Sequence, residues 1–178
     1  MTDSRDFSTP FLLGWTRVTE LERQLLTRSD VEAIADKVHL LTSTAIQMNA
    51  FVVAKYGGHG GSVRAPGLVE QVIAAAFQTF GDVDPYPEVL AKAAMLLRGV
   101  AGGHPFQDGN KRTSFILVMW YLDAMGTRLP PAFDVAGAVT LCVRVAAGDL
   151  RDLAAITNEI VRIYGGSGEG VNNDFRSP

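Results

Sequence analysis

Apolar residues recur at every third or fourth position along most of the chain, which is the spacing of an amphipathic helix. Behind Ser29, a suitable N-cap, such a face is formed by Val31, Ile34, Val38, Leu41 and Ala45. No stretch alternates long enough to predict a strand of a sheet. The pattern therefore predicts an all-α fold, with room for one small hairpin or loop around residues 58–65.

Glycine and proline divide the remaining pattern into further helices. Five glycines and a proline within residues 57–67 predict a loop between two of them. The helices themselves are predicted over residues 49–56, 68–80 and 87–101, from Asn110 to Met125, and after two capping residues, Asp134 and Asp149.

The composition fits one globular domain with an ample core, since 47% of the 178 residues are hydrophobic and 20% are charged. A formal net charge of −3 argues against a direct nucleic-acid partner.

Cys142 is the only cysteine and is expected to be a small buried residue. The longest apolar run, Phe115 to Leu122, is far shorter than the roughly 20 residues of a membrane span. With no secretion signal at the start, we expect a cytoplasmic protein without a membrane partner.

The stretch HPFQDGNKRTS, residues 104–114, places many functional groups just before that apolar run. The N-terminus of the predicted helix offers unpaired N–H groups and a partial positive charge, which bind phosphate readily. Gly109 lets the backbone approach an anion, Asn110 supplies an amide donor, and Lys111 and Arg112 add positive charge. Asp108 beside bound phosphates is a natural ligand for Mg²⁺.

His104 and Phe106 complete the chemistry predicted for this stretch. An imidazole, with an ordinary pKa of about 6.5, can take a proton from a hydroxyl at neutral pH. Phe106 is expected to point into the core and pin the loop. Together these groups suit attack of a hydroxyl on a nucleotide phosphate. The plainer alternative is a surface turn with solvated charges, and the spacing does not match a Walker A motif.

The segment HPFQDGNKR resembles the signature of the Fic/Doc superfamily, His-x-Phe-x-Asp/Glu-Ala/Gly-Asn-Gly/Lys-Arg. The order of the flanking features resembles its death-on-curing (Doc) branch, with a Tyr-Gly-Gly flap segment in AKYGGHGGSVRAPG. The resemblance covers roughly residues 29–165. Residues 1–28 are then an N-terminal extension, at best partly ordered, and residues 166–178 are a disordered tail.

The resemblance implies an all-α helical bundle, with the active-site loop between two central helices and a small flap over it. It assigns catalysis to His104, Asp108, Lys111 and Arg112, phosphate binding to Gly109, Asn110, Lys111 and Arg112, magnesium to Asp108, and a structural role to Phe106. The target flap would comprise Gly57, Gly58, Gly60, Gly61 and Ser62.

The activity that the resemblance implies depends on Lys111. Doc proteins carry lysine there and transfer the γ-phosphate of ATP with Mg²⁺ to a hydroxyl side chain of elongation factor Tu, which blocks translation. Most Fic enzymes carry glycine there and transfer AMP. The chain lacks the self-inhibitory Ser/Thr-x-x-x-Glu-Gly/Asn helix of some Fic proteins, so a separate Phd-like antitoxin is the expected partner. The alternatives are a nucleotidyl transferase and a non-enzymatic regulator on the same fold.

Overall fold

The computed structural model describes residues 17–58, 62–127 and 133–165, which form seven α-helices. In chain order these are α1 (Glu20–Thr27), α2 (Ala33–Tyr56), α3 (Leu68–Ala74), α4 (Val89–Gly103), α5 (Asn110–Ala124), α6 (Val135–Ala147) and α7 (Leu153–Gly165). The all-α prediction is confirmed, because the described ranges contain two isolated antiparallel bridges and no longer strand. The centre of the predicted 58–65 hairpin, residues 59–61, lies outside these ranges.

Helix α5 forms the centre of the bundle. Every residue from Thr113 to Ala124 is buried, since α4, α2 and α6 all pack against this helix. A helix that is surrounded on all sides needs apolar side chains all around it, which explains the unbroken apolar run. The predicted position of the site loop, between the two central helices α4 and α5, is therefore confirmed. No helix among the described residues is both long and apolar enough to cross a membrane.

Helix α2 differs from its prediction at both ends. The predicted break before residue 49 is wrong: one helix runs from Ala33 to Tyr56, since neither glycine nor proline interrupts it. Ser29 is not its N-cap, because the Asp30 carboxylate accepts from the Ala33 N–H at 2.9 Å instead. Val31 therefore precedes the helix and is 73% exposed.

Three other helix ends also needed correction. Helix α3 ends at Ala74 rather than residue 80, and α4 begins at Val89, two residues after Pro87. Asp149 does not cap α7, because that helix begins only at Leu153; the Asp149 N–H instead donates to the Arg144 carbonyl at the end of α6. The carboxylate of Asp152 takes that place, accepting from the Ala155 N–H at 2.8 Å.

Helix α1 lies within residues 1–28, which the sequence assigned to an extension. The Arg23 guanidinium donates to the Asp123 and Ala124 carbonyls at 2.6 and 2.8 Å, at the end of the central helix. Leu26 is buried in the common core. These contacts attach α1 to the domain. Residues 1–16 and the predicted tail, residues 166–178, lie outside the described part of the chain.

Asp134 caps α6, as predicted: its carboxylate accepts from the Gly137 N–H at 2.8 Å and from Arg162 at 2.7 Å. Asp134→Ala should lower the free energy of unfolding by about 1 kcal/mol, measured by urea denaturation at pH 7. Asp134→Asn, which keeps an accepting oxygen, should lose less. Equal stability of the three proteins would contradict this role.

The cap formed by the Asp134 carboxylate should also make the free energy of unfolding depend on pH. The Gly137 N–H, and then Arg162, lower the pKa of Asp134 below its ordinary value. Its contribution is therefore complete above the unfolded pKa of about 3.9 and is lost as the pH falls through the lower folded value. The gap in stability between the natural protein and Asp134→Asn should shrink over that range, and a constant gap would refute the prediction.

Candidate active site

The candidate site is the connection between α4 and α5, residues 104–109, together with the first turn of α5. The connection begins at His104, which ends α4 with φ 47° and ψ 52° in the left-handed region. Among the described residues His104 is the one non-glycine with positive φ. A side chain in this conformation costs roughly 1–2 kcal/mol, so glycine would be the less strained choice. Strain of this kind often marks a functional position.

The imidazole of His104 is oriented by α6. Its Nε2 lies 3.1 Å from the Ala146 carbonyl oxygen. Because a carbonyl can only accept, the ring nitrogen that faces it carries the proton, and Nδ1 is then the basic nitrogen of the neutral ring. The contact fixes both the tautomer and the direction of the ring, which a general base requires.

A groove of about 840 Å³ opens beside His104, between α3, α4 and the connection from α6 to α7. Its lining is mostly apolar, with Arg98 and Arg151 as charged residues and no carboxylate. The residues from Asp108 to Arg112 do not line it. A side chain that enters the groove can therefore approach His104, which is part of its lining.

Asn110 closes the loop onto itself. Its Oδ1 accepts from the Phe106 N–H at 2.9 Å, and its Nδ2 donates to the Phe106 carbonyl at 2.9 Å. Phe106 is 0% exposed and anchors the loop in the core. The sequence predicts that the Asn110 amide contacts phosphate, and in the structure the same amide shapes the loop.

Gly109 starts α5 in the left-handed conformation, with φ 77°. A Cβ here would lie 2.8 Å from Nδ2 of Asn49 and 3.3 Å from side-chain atoms of Val52 and Val53, so glycine is required for space as well as for φ. No side chain caps this helix end within the described part of the chain. Its first N–H groups are therefore not occupied by a capping side chain, as an anion site requires.

The charged residues of the motif surround this helix end. Asp108 is exposed, and its Oδ1 accepts from the Gly109 N–H at 2.6 Å. Lys111 is exposed, whereas Arg112 is half-buried with its guanidinium 4.8 Å from the centre of the Tyr56 ring. This stacking limits the directions in which Arg112 can point. One carboxylate and two cations thus lie at the end of one helix.

The flap segment joins the loop through its backbone. The Arg64 N–H donates to the Pro105 carbonyl at 2.9 Å, and the Gln107 N–H donates to the Ser62 carbonyl at 3.0 Å. On the N-terminal side of the flap, at the end of α2, a Cβ on Gly58 would lie 2.6 Å from Oδ2 of Asp108. Gly57 is exposed at the end of α2. The predicted flap residues Gly60 and Gly61 lie outside the described residues.

Sequence reasoning missed three residues that support this site: Asn49, Tyr56 and Arg64. Arg64 donates from Nε to the Phe106 carbonyl at 3.1 Å. Asn49 gave a detectable signal, because it is a polar residue in the apolar stripe of α2, one helical turn from Ala45 and Val52. The Tyr56 ring meets Arg112, and the Arg64 side chain meets the loop, only in the folded chain, so the local sequence pattern does not predict these contacts.

Two negative observations narrow the chemistry. No group of three or more histidine, cysteine and acidic side chains that could hold a metal occurs among the described residues. The single carboxylate of Asp108 is nevertheless enough for Mg²⁺, because this ion usually takes one or two carboxylates and completes its coordination shell with nucleotide phosphates and water. Cys142 is buried, and burial raises the pKa of its thiol to about 12, which makes it a poor nucleophile.

Comparison with known proteins places this loop in a family. A helical bundle with this loop-to-helix site is the fold expected of the Fic/DOC family. The model of that family matches residues 39–122. The toxin Doc of Mycolicibacterium smegmatis is 39% identical over 98 residues, 55% of this chain and 75% of that protein. Protein kinase doc of Escherichia phage P1 is 26% identical over 127 residues, 71% of this chain and 96% of that protein. The chain belongs to the Fic/DOC family, and the resemblance to its Doc branch is confirmed.

The strained backbone of His104 can be tested with two substitutions that both remove the imidazole. His104→Gly should be more stable than His104→Ala by roughly 1–2 kcal/mol, because glycine adopts the left-handed conformation freely. Urea denaturation of the two variants gives this difference without reference to activity. An alanine variant as stable as the glycine variant would disprove the strain.

Proposed function

We propose that this protein is a Doc-type toxin and a protein kinase, which transfers the γ-phosphate of ATP to a hydroxyl side chain of a translation factor such as elongation factor Tu. The observation that carries the proposal is the uncapped N-terminus of α5 with Lys111, Arg112 and the Asp108 carboxylate around it. The names of the two relatives, a toxin and a protein kinase, support the same activity.

His104 acts as the general base of the transfer. The hydroxyl oxygen of the acceptor bonds to the γ-phosphorus, the bond from that phosphorus to the bridging oxygen breaks, and ADP leaves. The hydroxyl proton passes to the imidazole. The contact with Ala146 keeps the ring in one tautomer, so that one nitrogen can receive the proton.

The start of α5 stabilises the phosphates in this reaction. Its N–H groups and partial positive charge favour the anion, and Gly109 allows the close approach. Lys111 adds a point charge, and Arg112 offers a planar fork that its stacking on Tyr56 holds in place. Asp108 holds Mg²⁺, which neutralises phosphate charge when it is bound. Because the helix end and the stacked Arg112 are in place before the nucleotide arrives, little reorganisation of them is needed.

The flap supplies a place for the protein acceptor. Its segment from Ser62 to Arg64 already pairs with the loop, so an extended target chain can align beside the segment through further backbone bonds. Gly57 and Gly58, on the N-terminal side of the flap, would allow a close approach of that chain. Gly60, Gly61 and Ser62 belong to the same proposed flap.

A second protein is proposed to restrain this activity. The sequence lacks the inhibitory helix that some Fic proteins carry, so control requires a separate chain, a Phd-like antitoxin. Antitoxin binding should prevent growth arrest when both proteins are produced together.

The transferred group can be identified with two labels. The purified protein, Mg²⁺ and elongation factor Tu would be incubated with ATP labelled on the γ-phosphate or, in parallel, on the α-phosphate. We expect label on the acceptor from the γ-phosphate only, and none with His104→Ala, whose fold is checked by circular dichroism. Label from the α-phosphate would make the protein an AMP transferase. If neither label appears on elongation factor Tu or in a whole lysate, the kinase proposal fails.

Lys111 is proposed to decide which phosphate reacts. Replacing Lys111 by Gly removes a side chain and a charge from the phosphate site, and this should slow γ-transfer by about tenfold or more while opening the pose that exposes the α-phosphate. Parallel assays with both labels measure the two rates. Lys111→Arg, which keeps a charge, is the matched control and should retain γ-transfer in preference to α-transfer. An unchanged transferred group and rate in Lys111→Gly would rule out this role.

A further inference from the structure

We propose that Asn49, which lies outside the signature stretch, is a positioning residue that fixes Asp108 and the phosphate site from beneath. The inference rests on the proposed function, because it concerns the same site. Asn49 is located on α2, 55 positions before His104 in the numbering, and is 0% exposed. It does not reach the surface and acts only through its neighbours.

The amide of Asn49 links the loop to the helix that follows. Its Nδ2 donates to the Asp108 carbonyl at 2.8 Å and to Oγ1 of Thr113 at 3.1 Å. Since a carbonyl only accepts, the nitrogen of the amide must face it. One buried side chain therefore ties the last residues of the loop to the first turn of α5.

The Asn49 amide is connected to the Asp108 carboxylate through the peptide group between Asp108 and Gly109. The Asp108 carbonyl and the Gly109 N–H belong to the same planar unit, so fixing the carbonyl also fixes the direction of the N–H. That N–H donates to Oδ1 of Asp108 at 2.6 Å. Asn49 thus sets the orientation of the carboxylate proposed to hold Mg²⁺, without touching it.

The backbone of the loop also packs directly against the side chain of Asn49. The space of a Cβ on Gly109 is taken by Nδ2 of Asn49 at 2.8 Å, with Val52 and Val53 beside it. The backbone that is proposed to meet phosphate therefore rests directly on α2. A change in the size or polarity of residue 49 must move it.

The other end of the amide argues against a purely stabilising role. Oδ1 of Asn49 is buried and has no hydrogen-bond partner among the described residues. A buried acceptor without a partner lowers stability. The side chain is therefore not the best choice for the core, and its donors explain its presence better than its contribution to folding does.

Two substitutions test the proposal against a matched control. Asn49→Leu removes the donors at similar size, and Asn49→Asp replaces them with oxygens that repel the Asp108 carbonyl. Met48→Ala, in the adjacent buried position of α2, disturbs the core and leaves both Asn49 hydrogen bonds in place. For each protein we would measure the Mg²⁺ concentration at half-maximal γ-phosphate transfer, the KM for the acceptor, and hydrogen exchange of the amides at residues 107–110, all well below the unfolding temperature.

Both Asn49 variants should require about tenfold or more Mg²⁺, which is the usual effect of losing a residue that orients a metal ligand. Loop amides should exchange faster in them, and the KM for the acceptor should change little. Met48→Ala should unfold at a lower temperature but keep the natural Mg²⁺ requirement and loop exchange.

The proposal is overturned if the Asn49 variants keep the natural Mg²⁺ requirement and exchange rates, or if Met48→Ala changes both to the same extent. Should the natural protein transfer no phosphate at all, the proposed function fails on its own. Loop exchange then still decides whether Asn49 positions residues 107–110, because that measurement needs no activity.

Discussion

The site depends on the pair of hydrogen bonds between the Asn110 amide and the backbone of Phe106. They satisfy the buried N–H of Phe106, which would be costly to leave unpaired, and they share the Phe106 carbonyl with the Arg64 side chain. Because Phe106 is sunk in the core, the bonds also fix the loop relative to the whole bundle. His104 and Gly109, at the two ends of the loop, are then held in their left-handed conformations.

Three neighbouring segments hold this loop from different sides. Helix α2 supports it through Asn49, helix α6 holds the His104 ring through the Ala146 carbonyl, and the flap pairs with its backbone through Arg64. Each of these contacts uses a donor or acceptor on a rigid element or on backbone. In the proposed transfer reaction, such support would keep the reacting groups within the narrow geometry that the reaction needs. The buried, uniformly apolar α5 serves the same end, since a helix packed on all sides cannot shift.

The sequence predicted the elements better than the contacts between them. Helical periodicity and the Asp134 cap are local properties, so the all-α fold and most helices followed from spacing alone. Helix ends such as Ser29 and Asp149 were misplaced, because the competing carboxylates Asp30 and Asp152 are also good caps. The contact of the Asn110 amide with the Phe106 backbone could not be predicted for a different reason: it is defined only by the shape of the loop. The family signature located the site but did not reveal the residues beneath it.

Lys111 and Arg112 occupy the least favourable end of their helix. Cations near a helix N-terminus are repelled by its dipole, and the first turn of α5 contains no acidic residue to offset them. Asp108 gives partial relief, but its carboxylate is exposed and bonded to the Gly109 N–H. The positive end of α5 is thus a local concentration of charge in a chain whose formal net charge is −3. In the proposed phosphate site, a bound anion would remove this repulsion, so binding would recover the stability that the free protein loses at this helix end.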